Sequence, residues 1–144
     1  MNSNQNSLHS LRQLLRLTYG LIPLVAGLDK FFNVLTTWEQ YISPRIAQFL
    51  PFSTSAFMHI AGIIEIAAGI VVLSRFTTLG AYVVTAWLTM IAVTLIFSGN
   101  YLDVAVRDIA MAVGAYTLGI LNETLEGSRS HNSSQANEHL PVSA

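Results

Sequence analysis

The sequence contains no cysteine, so it can form neither a structural disulfide nor a thiolate metal site, and it cannot act through a dithiol of its own. Charged residues are also scarce, at 10% of the 144 residues, whereas an average soluble protein has about 25%. The formal net charge is −1 and no extended basic run occurs, which excludes nucleic acid as a partner. Hydrophobic residues make up 52% instead, which indicates a protein embedded in the lipid bilayer.

Four segments are long and apolar enough to cross the hydrocarbon core, which requires about 20 residues of helix. A chain with these runs cannot close a barrel, and backbone groups in lipid need internal partners, so all four segments should be helical. The predicted fold is therefore an all-α four-helix transmembrane bundle. The predicted spans are Leu11–Leu35, Ser55–Leu73, Thr78–Phe97 and Leu102–Leu121.

The predicted organisation is a polar N-terminal segment over 1–10, a transmembrane domain over 11–121 and a disordered cytoplasmic tail over 122–144. We interpret the first apolar run as an uncleaved helix, because it is too long for a signal peptide and lacks a clear cleavage site. The tail is rich in Asn, Ser, Glu and Gln and cannot bury enough apolar surface to order itself. Four arginines lie on the same side of the predicted bundle as the two termini, and Arg45 lies on the opposite side; the four are Arg12, Arg16, Arg75 and Arg129. Because the side richer in Lys and Arg faces the cytoplasm, both termini are predicted to be cytoplasmic.

The connection between the first two spans is rich in aromatic residues, namely Trp38, Tyr41, Phe49 and Phe52. Such residues favour the level of the lipid headgroups, so we expect a short interfacial segment here. Ser43 followed by Pro44 resembles a helix cap and first turn, which predicts a short helix over Pro44–Leu50. An irregular loop is the alternative.

Six charged residues lie inside or at the mouths of the spans, nearly all toward the outer end: Asp29, Lys30, Glu65, Asp103, Arg107 and Asp108. A charge near the bilayer centre costs roughly 2.5–3.5 kcal/mol, so several unpaired charges would cost on the order of 10 kcal/mol. We therefore expect them to pair across helices, Lys30 with Glu65 or Asp108, and Arg107 with Asp29 or Asp103. His59, about 6 Å below the start of the second span, lies near the same level.

The second span presents small and polar residues on one face, including Gly62, Glu65 and Gly69. Glycine allows a neighbouring helix backbone to approach closely, so this face should pack against another helix. Four acids against two bases leave excess negative charge in the polar cluster. We expect either a neutral Glu65, as the deepest acid, or a protonated His59 to relieve it.

Nothing in the sequence supplies a nucleophile and base, a phosphate-binding loop or a set of metal ligands, so we predict neither catalytic nor metal-binding residues. A candidate ligand-binding or polar cluster remains, consisting of Asp29, Lys30, His59, Glu65, Asp103, Arg107 and Asp108. Paired charges in a membrane mark a functional site by default, but they can also simply order the helices.

Three motifs together resemble the DoxX-like membrane proteins. They are Gly27-Leu28-Asp29-Lys30-Phe31, His59 to Glu65 followed by Gly69, and Val106-Arg107-Asp108-Ile109. The resemblance covers about 11–121 and implies a four-helix bundle in the bacterial inner membrane, with Lys30, Glu65, Arg107 and Asp108 as characteristic polar positions. Some relatives are subunits of a thiosulfate–quinone oxidoreductase or are linked to oxidative and sulfur stress.

Three functions fit these observations. The favoured one is a non-catalytic membrane subunit or small-ligand-binding bundle, without enzymatic activity of its own. The second is a quinone-linked subunit of an oxidoreductase, with quinone as the candidate cofactor, His59 bonding a quinone carbonyl and Glu65 relaying the proton; because the chain holds no redox group, an oxidoreductase partner must supply electrons. The third is a proton or small-solute pathway. Besides lipid, the candidate partners are that oxidoreductase and a second copy of the chain, packed through the glycine faces.

Overall fold

Four long helices make up most of the computed structural model, which describes residues 2–48 and 50–138 and has no strand among them. They are α1 (Asn2–Phe32), α3 (Thr54–Leu73), α4 (Thr77–Ser98) and α5 (Leu102–Glu138). Two short elements, a 3-10 helix (Trp38–Tyr41) and α2 (Pro44–Ala47), connect α1 to α3. The predicted all-α four-helix architecture is confirmed.

Helices α3, α4 and α5 are long and apolar enough to cross a membrane. Helix α1 was predicted to span from Leu11 to Leu35 but does not reach the same apolar character, because Arg12, Arg16 and the pair Asp29-Lys30 interrupt its apolar residues. It ends at Phe32, where Asn33 adopts a φ of 50°. That left-handed conformation favours Asn and commonly terminates a helix.

The end of α5 differs from the prediction. The sequence predicted disorder from Asn122 onward, whereas α5 continues as helix to Glu138. The Asn122 side chain is buried, with a relative exposure of 1%, because it bonds to groups on three helices described below. Residue 122 thus belongs to the packed bundle, while residues 139–144 of the predicted tail lie outside the described part of the chain.

Helices α1 and α3 pack antiparallel through two glycine pairs seven residues apart. A Cβ added to Gly62 would lie 2.7 Å from the Gly27 oxygen, and one added to Gly69 would lie 2.5 Å from the Gly20 oxygen. The close-packing face predicted at Gly62 and Gly69 is confirmed, with α1 as its partner. Because α1 covers this face, a second copy of the chain cannot pack against it.

The second tight helix pair is α4 with α5, and α3 contacts α4 to join the two pairs. Small and branched side chains fill the centre of the bundle. The central core cluster consists of Tyr19, Ala68, Val72, Ala81, Val84, Ala115 and Leu118. This apolar core separates the two ends of the bundle.

We call the end that holds the 33–53 connection and the 99–101 turn the distal end, and the end with the 74–76 turn the proximal end. At the distal end the 3-10 helix packs on α3, and Tyr41 reaches a smaller core cluster formed by Ala92, Leu95 and Ala105 of α4 and α5. The predicted helix over Pro44–Leu50 ends earlier, at Ala47, and Phe49 lies outside the described residues. The connection therefore runs across the distal end of the bundle, from α3 to the contact of α4 with α5.

Candidate functional site

A buried ion pair joins α1 to α3. Lys30 Nζ lies 2.6 Å from Glu65 Oε2, and the two side chains are 6% and 9% exposed. The Gly27–Gly62 contact draws the two backbones together one turn away, so that the Lys30 side chain can reach its partner. This pair is one of the two that the sequence predicted for Lys30.

Both tryptophans of the chain contact this ion pair. Trp87 of α4 donates its indole N–H to Glu65 Oε1 at 3.1 Å, and the ring centre of Trp38 lies 3.6 Å from Lys30 Nζ. A cation over an indole face is attracted by the ring quadrupole, and more strongly when water is excluded. Both carboxylate oxygens of Glu65 and one face of the Lys30 ammonium are thereby occupied.

Asp29 faces the connection rather than a cation. Its carboxylate accepts hydrogen bonds from the backbone N–H groups of Val34 and Leu35, at 2.9 and 3.0 Å, and from the Trp38 indole at 2.7 Å. These three donors take the place of the water molecules that the carboxylate loses when it is buried. Asp29 therefore holds the connection, and with it Trp38, over Lys30.

Helix α5 contributes one buried acid and two exposed charges. Asp108 is buried and interacts electrostatically with Lys30, Glu65 and Arg107. Arg107 points outward with a side chain 64% exposed and lies 3.9 Å from Asp108. The predicted pairs of Arg107 with Asp29 or Asp103 are wrong for the described residues, because Arg107 lies on the outer face of α5 and Asp29 turns toward the connection.

His59 lies on the exposed surface of α3. Its ring stacks on Phe31 of α1, with centroids 4.9 Å apart and planes 3° from parallel. It makes no described contact with Glu65, which is buried on another side of the helix. The structure thus brings four of the seven predicted residues together (Asp29, Lys30, Glu65 and Asp108) and leaves His59, Asp103 and Arg107 on the surface.

Glu65 lies between two donors, Lys30 Nζ and the Trp87 indole. The relief of the excess negative charge by a neutral Glu65 or by a protonated His59 stays a prediction. We call Asp29, Lys30, Trp38, Glu65, Trp87 and Asp108 the distal network.

A second polar network at the proximal end was missed from the sequence. Arg16 of α1 donates to the carbonyls of Val72, Leu73 and Ser74, which are acceptors left free at the end of α3. The spacing of Arg12 and Arg16, four residues apart on one helix face, was a signal for such a role.

Asn122 completes the proximal network by linking three helices. Its carbonyl oxygen accepts from Arg12 of α1, and its amide donates to Thr78 of α4 at 2.8 Å and to Glu126 of α5 at 2.9 Å. A buried amide satisfied on both its oxygen and its nitrogen rigidifies the packing around it. The sequence offered no signal for this role, since Asn122 stands where the composition becomes polar.

The comparisons with known proteins identify one family. A family model described as DoxX matches residues 11–99, which include Asp29, Lys30, His59 and Glu65 and end before α5. No curated protein and no solved structure matches the chain.

Proposed function

The chain belongs to the DoxX family of membrane proteins, and we propose that it is a non-catalytic component of a membrane assembly. In this proposal the distal network orders the helices and holds the connection in place, so that the distal end offers a rigid surface to a partner or a small ligand. We further propose that the protein resides in the bacterial inner membrane with both termini in the cytoplasm, as the arginine distribution predicts.

The observation that carries this proposal is that three of the four buried charged groups of the distal network, Asp29, Lys30 and Glu65, have close partners within the chain, whereas Asp108 lies 3.9 Å from Arg107. Glu65 accepts two hydrogen bonds, Asp29 accepts bonds from three groups, and Lys30 contacts both Glu65 and the Trp38 ring. A group that relays protons or binds substrate needs a free position or a mobile partner. Fully paired groups favour a role in ordering the bundle.

The apolar core argues against a proton or solute pathway. Residues such as Ala68, Val72, Val84 and Leu118 fill the space between the distal and proximal networks. A pathway requires polar groups or water along its whole length, because an unsatisfied polar group in hydrocarbon costs several kcal/mol. The packing of the core therefore disfavours a proton or small-solute pathway.

To test this proposal, the full-length chain is purified from native membranes in a mild detergent, and the mass and the protein composition of the purified particle are measured. We expect an assembly that contains a second kind of chain. The double variant Lys30→Met/Glu65→Leu should still assemble, because it keeps the packing while removing both charges. If the double variant is as stable as the wild type but no longer assembles, the charges act in recognition or chemistry and the ordering role is wrong. A chain that is always isolated alone contradicts the assembly.

One observation favours the quinone-linked alternative. The stacked His59–Phe31 pair is exposed on the surface of α1 and α3, where a lipid-soluble ring could lie against it. The test extracts the purified protein with organic solvent and measures bound quinone in the wild type, in His59→Ala and in the control His9→Ala. We expect loss in His59→Ala alone if quinone binds there. A wild type without quinone excludes this alternative.

A further inference from the structure

A cavity of about 310 Å³ opens at the distal end, between the connection and the turn that joins α4 to α5. Its volume lies at the lower end of the range for small-molecule sites, which is roughly 300–1,000 Å³. The polar residues that line it are Gln40, Tyr41, Ser43, Asn100 and Tyr101. It is separate from the distal network, none of whose members lines it.

Two tyrosines from different parts of the chain form a wall of the cavity. The rings of Tyr41 and Tyr101 meet edge to face, with centroids 4.8 Å apart. Tyr101 has a φ of 56°, a left-handed conformation that bulky residues rarely adopt. Such strain persists only where the surroundings hold it, and it is concentrated at functional sites. The strained backbone thus presents the Tyr101 ring to Tyr41.

The lining predicts the chemistry of the ligand. The two carboxamides and the hydroxyl groups can each donate and accept hydrogen bonds, and the tyrosine rings offer apolar surface. None of the described lining residues is charged, so this part of the wall offers a ligand hydrogen-bonding groups and no counter-ion.

We propose that the cavity binds a small neutral ligand rich in hydroxyl groups, of the monosaccharide class, through Tyr41, Asn100 and Tyr101.

The site rests on the proposed function in that both assign recognition to the distal end. The 3-10 helix that ends at Tyr41 begins at Trp38, which lies over Lys30. A ligand that shifts Tyr41 therefore changes the surroundings of a tryptophan. Since the chain has only two tryptophans and both contact the ion pair, fluorescence reports on this region alone.

The experiment titrates the full-length chain in lipid nanodiscs and follows tryptophan fluorescence. The probes are glucose, glucuronate and glucosamine, which share a ring and differ in charge. We expect a saturable change with glucose and none with glucuronate. Tyr101→Phe should weaken glucose binding about threefold to tenfold, the effect of losing one neutral hydrogen bond, and Tyr41→Phe should act similarly.

The matched control is Tyr82→Phe, which removes a hydroxyl bonded to Glu123 far from the cavity. It should leave glucose binding unchanged, and circular dichroism checks that each variant is folded. The proposal is overturned if glucose gives no saturable change, if glucuronate or glucosamine binds as well or better, or if both cavity variants bind like the wild type. None of these outcomes alters the assembly of Lys30→Met/Glu65→Leu, so the two proposals fail separately.

Discussion

Removing one partner of the buried ion pair should destabilise the protein strongly, whereas removing both should not. In Glu65→Leu, Lys30 keeps its charge and loses its counter-ion at a position only 6% exposed. In Lys30→Met, Glu65 keeps only the hydrogen bond from Trp87. Uncompensated buried charges of this kind cost about 3–5 kcal/mol. The double variant replaces the pair by apolar side chains of similar length and should lie within about 1–2 kcal/mol of the wild type.

The assay is unfolding in mixed micelles by titration with a denaturing detergent, with helix content measured by circular dichroism. The double-mutant cycle isolates the coupling between the two side chains. The control is Arg107→Met, which removes a charge 64% exposed and should change the free energy of unfolding by about 1 kcal/mol or less. The destabilisation by unpaired charge is refuted if each single variant changes the free energy of unfolding no more than Arg107→Met does. It is also refuted if the double variant lowers this free energy by as much as the two single variants together.

Three further predictions concern the packing and the two networks. Gly62→Ala places a Cβ 2.7 Å from the Gly27 oxygen and should lower the free energy of unfolding by about 1–3 kcal/mol. The control Gly127→Ala adds a Cβ in open space and should leave the free energy of unfolding unchanged or raise it by up to about 1 kcal/mol. Arg16→Met leaves the Leu73 carbonyl without its side-chain donor and removes one donor from the carbonyls of Val72 and Ser74, which the Thr77 hydroxyl also contacts. Hydrogen exchange of amides near the 74–76 turn should therefore accelerate, and unchanged exchange would contradict the capping role. Trp38→Phe keeps an aromatic face for Lys30 and loses the bond to Asp29, so proteolysis within 33–53 should accelerate while α3 to α5 stay protected; equal rates would count against this anchoring role.

The four helices followed from the sequence, but α1 begins at Asn2 rather than Leu11 and α5 continues to Glu138 rather than ending at Leu121. The start of the second span was placed at Ser55 and lies at Thr54, and the fourth begins at Leu102 as predicted. Glycine spacing also indicated the packing face of α3 correctly. The errors arose where a polar residue was interpreted by composition alone: Asn122 was assigned to the tail although its amide is buried and bonded.

The candidate site was predicted less completely than the fold. Lys30, Glu65 and Asp108 do come together, but Arg107 and His59 lie outside the cluster. The depth of a residue follows from counting 1.5 Å per residue, so the sequence could place these groups at a similar level. The direction in which each points depends on the rotation of the helix about its axis, which counting does not give.

The sequence by itself determined that this is a helical membrane protein and that its charges must find partners, because hydrocarbon leaves backbone and charged groups no water to bond. The tertiary structure decided which partners they find. The glycine contacts of α1 with α3 set the rotation that turns Lys30 toward Glu65 and Asp29 toward Trp38. The distal cavity likewise exists only because two segments distant in sequence, 40–44 and 100–101, meet at one end of the bundle.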